Sequence, residues 1–381
     1  MRRSKLSVLT FGLWFGAAVG GCGDNHGDAD PDGGGDLDAP VVVRNLAHAV
    51  SGDFAVTGVF STIDLEAMTV RPNALAGVAG GDPFLRRIGD ELFIVNRDQG
   101  ENVTILGGDP LALIDQLGTG GGSNPQDVAV VGRKLYVPAL GTAGVVVIDR
   151  DTRAITTIAI AGDPDGQPNC VSAYAVGTRV YVACGLLDAT FSPRGNTQIA
   201  VIDTATNAVA TTFTLTSANP IGQFIETPAA SSFGGDLLIA TAPAFNDFTN
   251  GCLARVRTSS PPAANGCVAT NAALGGLANH VSIAPDGATA WLAVTGFAPD
   301  FSSSFGRLHS IALATGAVSA ALSPTTQQID DVAACRDGYV IVSDGTFGAA
   351  GVRIWQHGAE KTSAALDIGR PTGFGNNLAC F

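Results

Sequence analysis

Short apolar runs of about four to six residues, each closed by Gly, Asp, Asn or Pro, follow one another along most of this sequence. QIAVIDTATNAVATTFTL (198–215) shows the pattern: one apolar run, Asp-Thr-Ala-Thr, then a second run rich in Thr and Val. Close variants recur as GVVVIDRDTRAITTIAI (144–160) and GVFSTIDLEAMTVRPNAL (58–75). Such spacing predicts β-hairpins, and beyond the N-terminal segment no stretch sustains the 3.6-residue period of a long helix.

The hairpins belong to a larger repeat. Inner-strand signals start at Leu85, Val128, Val171, Phe224, Val281, Val332 and Phe374, with spacings of 43, 43, 53, 57, 51 and 42 residues. Each start leads through a turn to a second strand: LYVP (135–138), VYVA (180–183), WLAV (291–294) and YVIV (339–342). A third strand ending in Ile-Asp or a similar pair and a fourth rich in Thr, Val and Ile complete the unit. Four strands at this period predict the blades of a β-propeller. Runs such as Val145-Val146-Val147-Ile148 are apolar without alternation, which suits sheets covered on both faces. The expected fold is therefore all-β, a seven-bladed propeller with four-stranded blades. Six units run from about 82 to 371; residues 41–81 and 372–381 share the seventh and close the ring by pairing N- and C-terminal strands. VAVVGRKLYVPALGTAGVVVIDRDTRAITTIAI (128–160) and IAVIDTATNAVATTF (199–213) resemble the YVTN-type repeats of bacterial seven-bladed propellers, a superfamily with lactonase-like members. Phe93-Ile94-Val95-Asn96 comes closest to the Tyr-Val-Thr-Asn core. The resemblance implies fold and carries over no catalytic residue.

The first 21 residues read as an address. Arg2, Arg3 and Lys5 precede an apolar stretch, Leu6 to Val19, too short for the roughly 20 residues of a spanning helix. Small residues Val19-Gly20-Gly21 then lead to Cys22, resembling a bacterial lipobox in which the cysteine is lipidated and becomes the new N-terminus. Residue 23 is Gly, not the Asp of inner-membrane retention, so an outer-membrane anchor, facing periplasm or surface, is expected. Residues 22–40 hold the lipidated cysteine and an acidic Asp/Gly tether; 41–381 form the propeller. Asp28, Asp30 and Asp32 open a calcium-loop pattern, but Ala39 stands where its glutamate belongs, so weak calcium binding is the alternative to a plain tether and no cofactor is expected. The chain is 46% hydrophobic and 14% charged, with a net charge of −13 that removal of the leader makes more negative. Such a surface repels phosphate backbones, which argues against nucleic acid as partner.

Six cysteines remain after Cys22, an even number that suits disulfides in an exported protein. Cys170 and Cys184 are nearly symmetric about the Gly177-Thr178 turn, and Cys252 and Cys267 flank SSPPAAN in the same way. Cys335 and Cys380 pair by elimination and staple the C-terminal strand.

Two regions carry candidate chemistry. Loops between second and third strands are enlarged at 185–196, 242–251 and 295–307, and propeller topology puts them on one face. They offer Asp188, Phe191, Arg194, Phe245, Asp247, Phe248, Phe297, Asp300, Phe301 and Phe305 as an aromatic and acidic rim for a protein or small-molecule ligand. The residues before the inner-strand starts, Asp127, Cys170, Gln223, His280, Asp331 and Gly373, are expected at the channel mouth on that face. Among them His280, Asp127 and Asp331 form a weak metal-binding or acid–base set. There is no GxSxG, HExxH, P-loop or CxxCH motif, and the phosphate-loop mimic GTGGGSNP (118–125) leads toward a strand. The sequence favours a membrane-anchored binding platform in the cell envelope; the alternative is a lactonase-like or lyase-type enzyme at the channel mouth.

Overall fold

The computed structural model describes residues 45–244, 247–298, 304–322, 324–325, 328–346, 350–370, 372, 375 and 377–381, with backbone alone for 297, 324 and 325. The signal segment, Cys22 and the tether, with Asp28, Asp30 and Asp32, lie outside the described residues.

The strands form seven antiparallel sheets. Blade 1 runs from the inner strand Pro83–Ile88 through Glu91–Asn96 and Asn102–Gly107 to Ala112–Gly118. Blades 2, 3 and 4 begin at Ala129–Val131, Cys170–Val176 and Pro220–Glu226; blades 5 and 6 begin at Leu277–Ile283 and Val332–Ala334. In blade 7 the inner strand Leu378–Cys380 pairs with Leu46–Gly52, which continues to Gly58–Asp64 and Thr69–Arg71. Ala47 stands opposite Cys380 and Ala49 opposite Leu378, so the two ends of the ring share one sheet. The last inner strand starts at Leu378, four residues beyond the expected Phe374, which itself lies outside the described residues. Blade 5 carries a fifth short strand, Pro324–Thr325, off the main path. The only α-helix among the described residues is Asn271–Leu274, and no described helix is long and apolar enough to cross a membrane.

The core is divided among the blade interfaces. Val145 and Val147 pack toward blade 3 with Val180, Val182 and Ala200, while Val146 and Ile148 pack toward blade 1 with Phe93, Val95 and Val103. A strand with both faces buried has no polar side, which is why its sequence does not alternate. In blades 7, 2 and 3 the recurring Ile-Asp closes the outer hairpin by one device. Oδ1 of Asp64, Asp149 and Asp203 accepts two backbone N–H bonds from the turn that follows. Four residues on, Met68, Arg153 and Asn207 take the left-handed backbone that returns the chain.

All three disulfides are present, with the predicted pairing: Cys170–Cys184, Cys252–Cys267 and Cys335–Cys380. They fit an oxidising, extracytoplasmic compartment. The first two close segments of 14 and 15 residues; the third spans 45 and ties blade 6 to the inner strand of blade 7. Chain-entropy arithmetic gives about 3 kcal/mol for the short spans and about 4 kcal/mol for the long one. Replacing Cys335 and Cys380 by Ala should therefore lower the thermal midpoint more than replacing Cys170 and Cys184. Calorimetry of the two double variants checks that order.

Candidate functional site

Inner strands of a propeller run side by side along the axis, and here polar side chains lock them together. Asp127 of blade 2 is wholly buried. Its Oδ1 accepts from the Val128 N–H at 2.8 Å; its Oδ2 accepts from Ser172 Oγ and the Ala173 N–H of blade 3. Arg86 of blade 1 donates to the same oxygen at 2.5 Å and also to the Phe224 carbonyl of blade 4. Ser172 Oγ accepts from the Phe224 N–H, closing a loop of hydrogen bonds through four blades. Gln223 Nε2 crosses between the same two blades as Arg86, reaching the Leu85 carbonyl at 3.3 Å.

Asp331 does the same work on the other side of the ring. Also wholly buried, it accepts from the Val332 N–H and from the Asn377 and Leu378 N–H groups of the blade 7 segment. Burial pushes its carboxyl above the usual carboxylate range, against the pull of His280 and of these N–H donors. His280 Nδ1 lies 3.8 Å from Asp331 Oδ1, too far for a hydrogen bond, and has no partner of its own.

The three residues proposed as a metal or acid–base set are therefore divided. His280 and Asp331 are neighbours; Asp127 belongs to the separate Arg86 network. Neither carboxylate is a solvated channel-mouth group. No cluster of three or more His, Cys, Asp or Glu suited to a metal occurs among the described residues. Cys170 is in its disulfide, and Gly373 lies outside the described residues. The sequence did hold a signal of this structural role: Asp127-Val128-Ala129 and Asp331-Val332-Ala333 are the same tripeptide at the same place in two blades.

Beside Asp331, the buried Asp330 carboxyl is pushed up to about 7, mainly by burial. Its Oδ2 accepts from Gln328 Nε2, and its Oδ1 stands 3.0 Å from Thr295 Oγ1. Thr295 has one hydroxyl proton to share between this carboxyl and the Ile329 carbonyl.

The enlarged loops share one face, with rim residues in unequal roles. Asp188 Oδ1 accepts from the Thr190 and Ser192 N–H groups and from Thr190 Oγ1, so it shapes its own loop. Arg194 is bound to Asp163, Asp165 and the Leu187 carbonyl. Asp247 caps the turn at Thr249 and Asn250. Phe248 is half-buried, and the half-buried Phe305 ring lies under the Arg307 guanidinium at 4.7 Å. Phe245, Asp300, Phe301 and the Phe297 side chain lie outside the described residues. Phe191 stands out at 70% exposure, with a left-handed backbone at φ 60°.

Sequence reasoning missed its counterpart. Phe54, 57% exposed at φ 56°, sits in the loop from Leu46–Gly52 to Gly58–Asp64 of blade 7, on the same face. There Asp53 accepts from the Ala55 and Thr57 N–H groups and from Thr57 Oγ1, as Asp188 does. These bonds, led by the Thr57 hydroxyl, hold the Asp53 pKa down at about 2. The signal was an Asp-Phe pair inside a short loop, overlooked because only long loops were weighed.

First strands turn into second strands on the opposite face. A cavity of about 600 Å3 opens there, lined by all seven inner strands. Arg86, Arg87, Arg336, His280, Tyr174 and Gln223 line it together with apolar groups, and no Asp or Glu among the described residues does.

No family model matches this sequence, and no curated protein does. Solved structures similar to it include the β-propeller domain of Cps50 (Swd1) from Myceliophteria thermophila, with a TM-score of 0.55 and 13% identity over 81% of this chain and 93% of that one. A protein from Lactobacillus plantarum gives 0.54 at 13% identity, over 89% and 99%. Apo AztD from Citrobacter koseri gives 0.51 at 12%, over 89% and 98%. At these identities the likeness shows the fold alone. The chain is a seven-bladed β-propeller.

Two measurements test these networks. Asp127→Ala should leave the Arg86 guanidinium buried without its carboxylate and cost about 3–5 kcal/mol, read as a lower urea midpoint. Asp330, whose folded pKa is raised, contributes stability that is full below about pH 4 and lost as pH rises toward 7. His48 works in the opposite direction: burial lowers it to about 4, so its contribution is lost as pH falls below about 6.5. The Asp330→Asn variant should therefore gain on the wild type between pH 4 and 7 and hold a constant difference above. Urea titrations of both proteins across that range check the sign.

Proposed function

We propose that this chain is a lipoprotein of the bacterial cell envelope, held at the outer membrane through Cys22 and its acidic tether, whose propeller serves as a binding platform. The observation that carries the reading is the pair of exposed phenylalanines, Phe191 and Phe54, each on an Asp-capped loop of the same face with a left-handed backbone. A bulky residue at positive φ is uncommon and is maintained by its surroundings. A loop already fixed by hydrogen bonds loses little entropy when a partner covers its aromatic tip. The likeness of 128–160 and 199–213 to YVTN-type, lactonase-like repeats supports an exported propeller. Three disulfides support the compartment. The enzyme alternative is less well supported, because Asp127 and Asp331 already spend their oxygens on Arg86, Ser172 and backbone N–H groups.

A photo-crosslinking amino acid at position 191 in cells should capture one defined partner, identified by mass spectrometry. The same label at Ile155, exposed on an outer strand, is the control. Equal, unspecific labelling at both positions would refute a platform on this face. Separately, Cys22→Ser should release the protein from the membrane fraction into the soluble one; retention would refute the anchor.

A further inference from the structure

The cavity on the turn face has a charge that the rest of the molecule does not share. The chain carries 34 acidic residues against 21 basic ones, yet three arginines line this cavity and no described Asp or Glu side chain does. Arg86 is committed to Asp127 and the Phe224 carbonyl. Arg87 forms no ion pair with a described Asp or Glu side chain: it donates to the Gly89 and Cys380 carbonyls and lies over the Phe381 ring at 4.7 Å. The Arg336 side chain has no hydrogen bond or ion pair among the described residues. It is close enough to repel Arg87, whose pKa is lowered by burial first and by Arg336 second. The acidic groups near the mouth stand outside the lining: Asp90 beside Arg87, the half-buried Glu226 beside Tyr174, and Asp286 in the adjoining groove. Two exposed guanidiniums on one cavity wall, with no described Asp or Glu side chain in the lining beside them, form half of a binding site.

The remaining wall is apolar: Val130, Ile225, Ile283, Phe224 and Leu378 among others. At its edge Ser282 Oγ accepts from the Ala334 N–H, leaving its own proton to donate. A volume of about 600 Å3 suits a small organic molecule. We infer that this cavity binds a monoanionic organic carboxylate with an apolar body, its head held between Arg87 and Arg336 and its body against the inner strands. A dianionic phosphate fits less well, because the surrounding acidic surface opposes a second charge and the apolar wall offers it nothing. The site lies on the face opposite the enlarged loops, so it stands or falls independently of the platform reading.

Isothermal titration of the full-length protein with octanoate and benzoate, against octanol, benzyl alcohol and inorganic phosphate, tests it. At least one carboxylate should bind while its alcohol does not, and added salt should weaken binding. Arg336→Gln and Arg87→Gln should each reduce affinity about tenfold or more. Arg150→Gln, which breaks only the ion pair to Glu91, should leave it unchanged. Circular dichroism separates loss of binding from loss of fold. The inference is overturned if neither carboxylate binds by about 10 mM, if the alcohols bind equally well, if phosphate binds and the carboxylates do not, or if folded Arg87 and Arg336 variants bind like the wild type.

Discussion

Closure of the ring is the constraint on which everything else in this structure depends. A blade with two apolar faces is stable only if a neighbour covers each of them, and in an open row the two end blades would each leave one face wet. Pairing Leu46–Gly52 with Leu378–Cys380 removes both ends at once. The contact is short on its inner side, three residue pairs, and it is reinforced where it is weakest. Cys335–Cys380 ties that inner strand to blade 6, and Asp331 holds the preceding Asn377 and Leu378 N–H groups. Asn377 also reaches the Pro83 carbonyl at the start of blade 1. The last inner strand is thus bonded to both neighbours as well as to its own sheet.

The same constraint decides what could be read from the sequence. Outer hairpins were legible because the Asp of each Ile-Asp must accept the N–H groups of its turn, and that chemistry leaves a motif. Disulfides were legible because cysteines equidistant from a hairpin turn face each other across the ladder, as Cys170 and Cys184 do. Inner strands were located but their side chains were not assigned, since Cys170–Val176 and Pro220–Glu226 mix buried and half-buried positions without a regular alternation. Asp127 and Asp331 could be placed at the right level of the ring, but not assigned between water and a neighbouring strand. That assignment depends on backbone N–H groups some forty-five residues away. The rim acids failed to reveal their roles for a related reason. Asp188 and Asp247 have the composition of ligands, and only the loop conformation shows their oxygens already occupied.

The central channel shows how buried polarity divides the molecule into two faces. Arg86 and Gln223 both cross from blade 1 to blade 4, joining strands on opposite sides of the axis. A lone arginine in such a place would be costly to bury. Here one carboxylate and one carbonyl take its protons, and Ser172 completes the circuit, so the charge is compensated and the crossing is rigid. Contacts across the channel make it a cup rather than a pore, opening where first strands turn into second strands.

That geometry gives the arginines beyond the crossing their distinct character. Asp127 is consumed by Arg86, no described Asp or Glu side chain lines the cavity beside Arg87 and Arg336, and the walls around them are mainly apolar. Low-dielectric walls focus a field instead of screening it, so two cations at a cup mouth present a stronger potential than the same cations on an open surface. An acidic exterior adds to the contrast by repelling anions everywhere else. The structural clasp and the cationic cup therefore meet at Arg86, whose charge Asp127 takes inside the ring while Arg87 and Arg336 stand at the mouth.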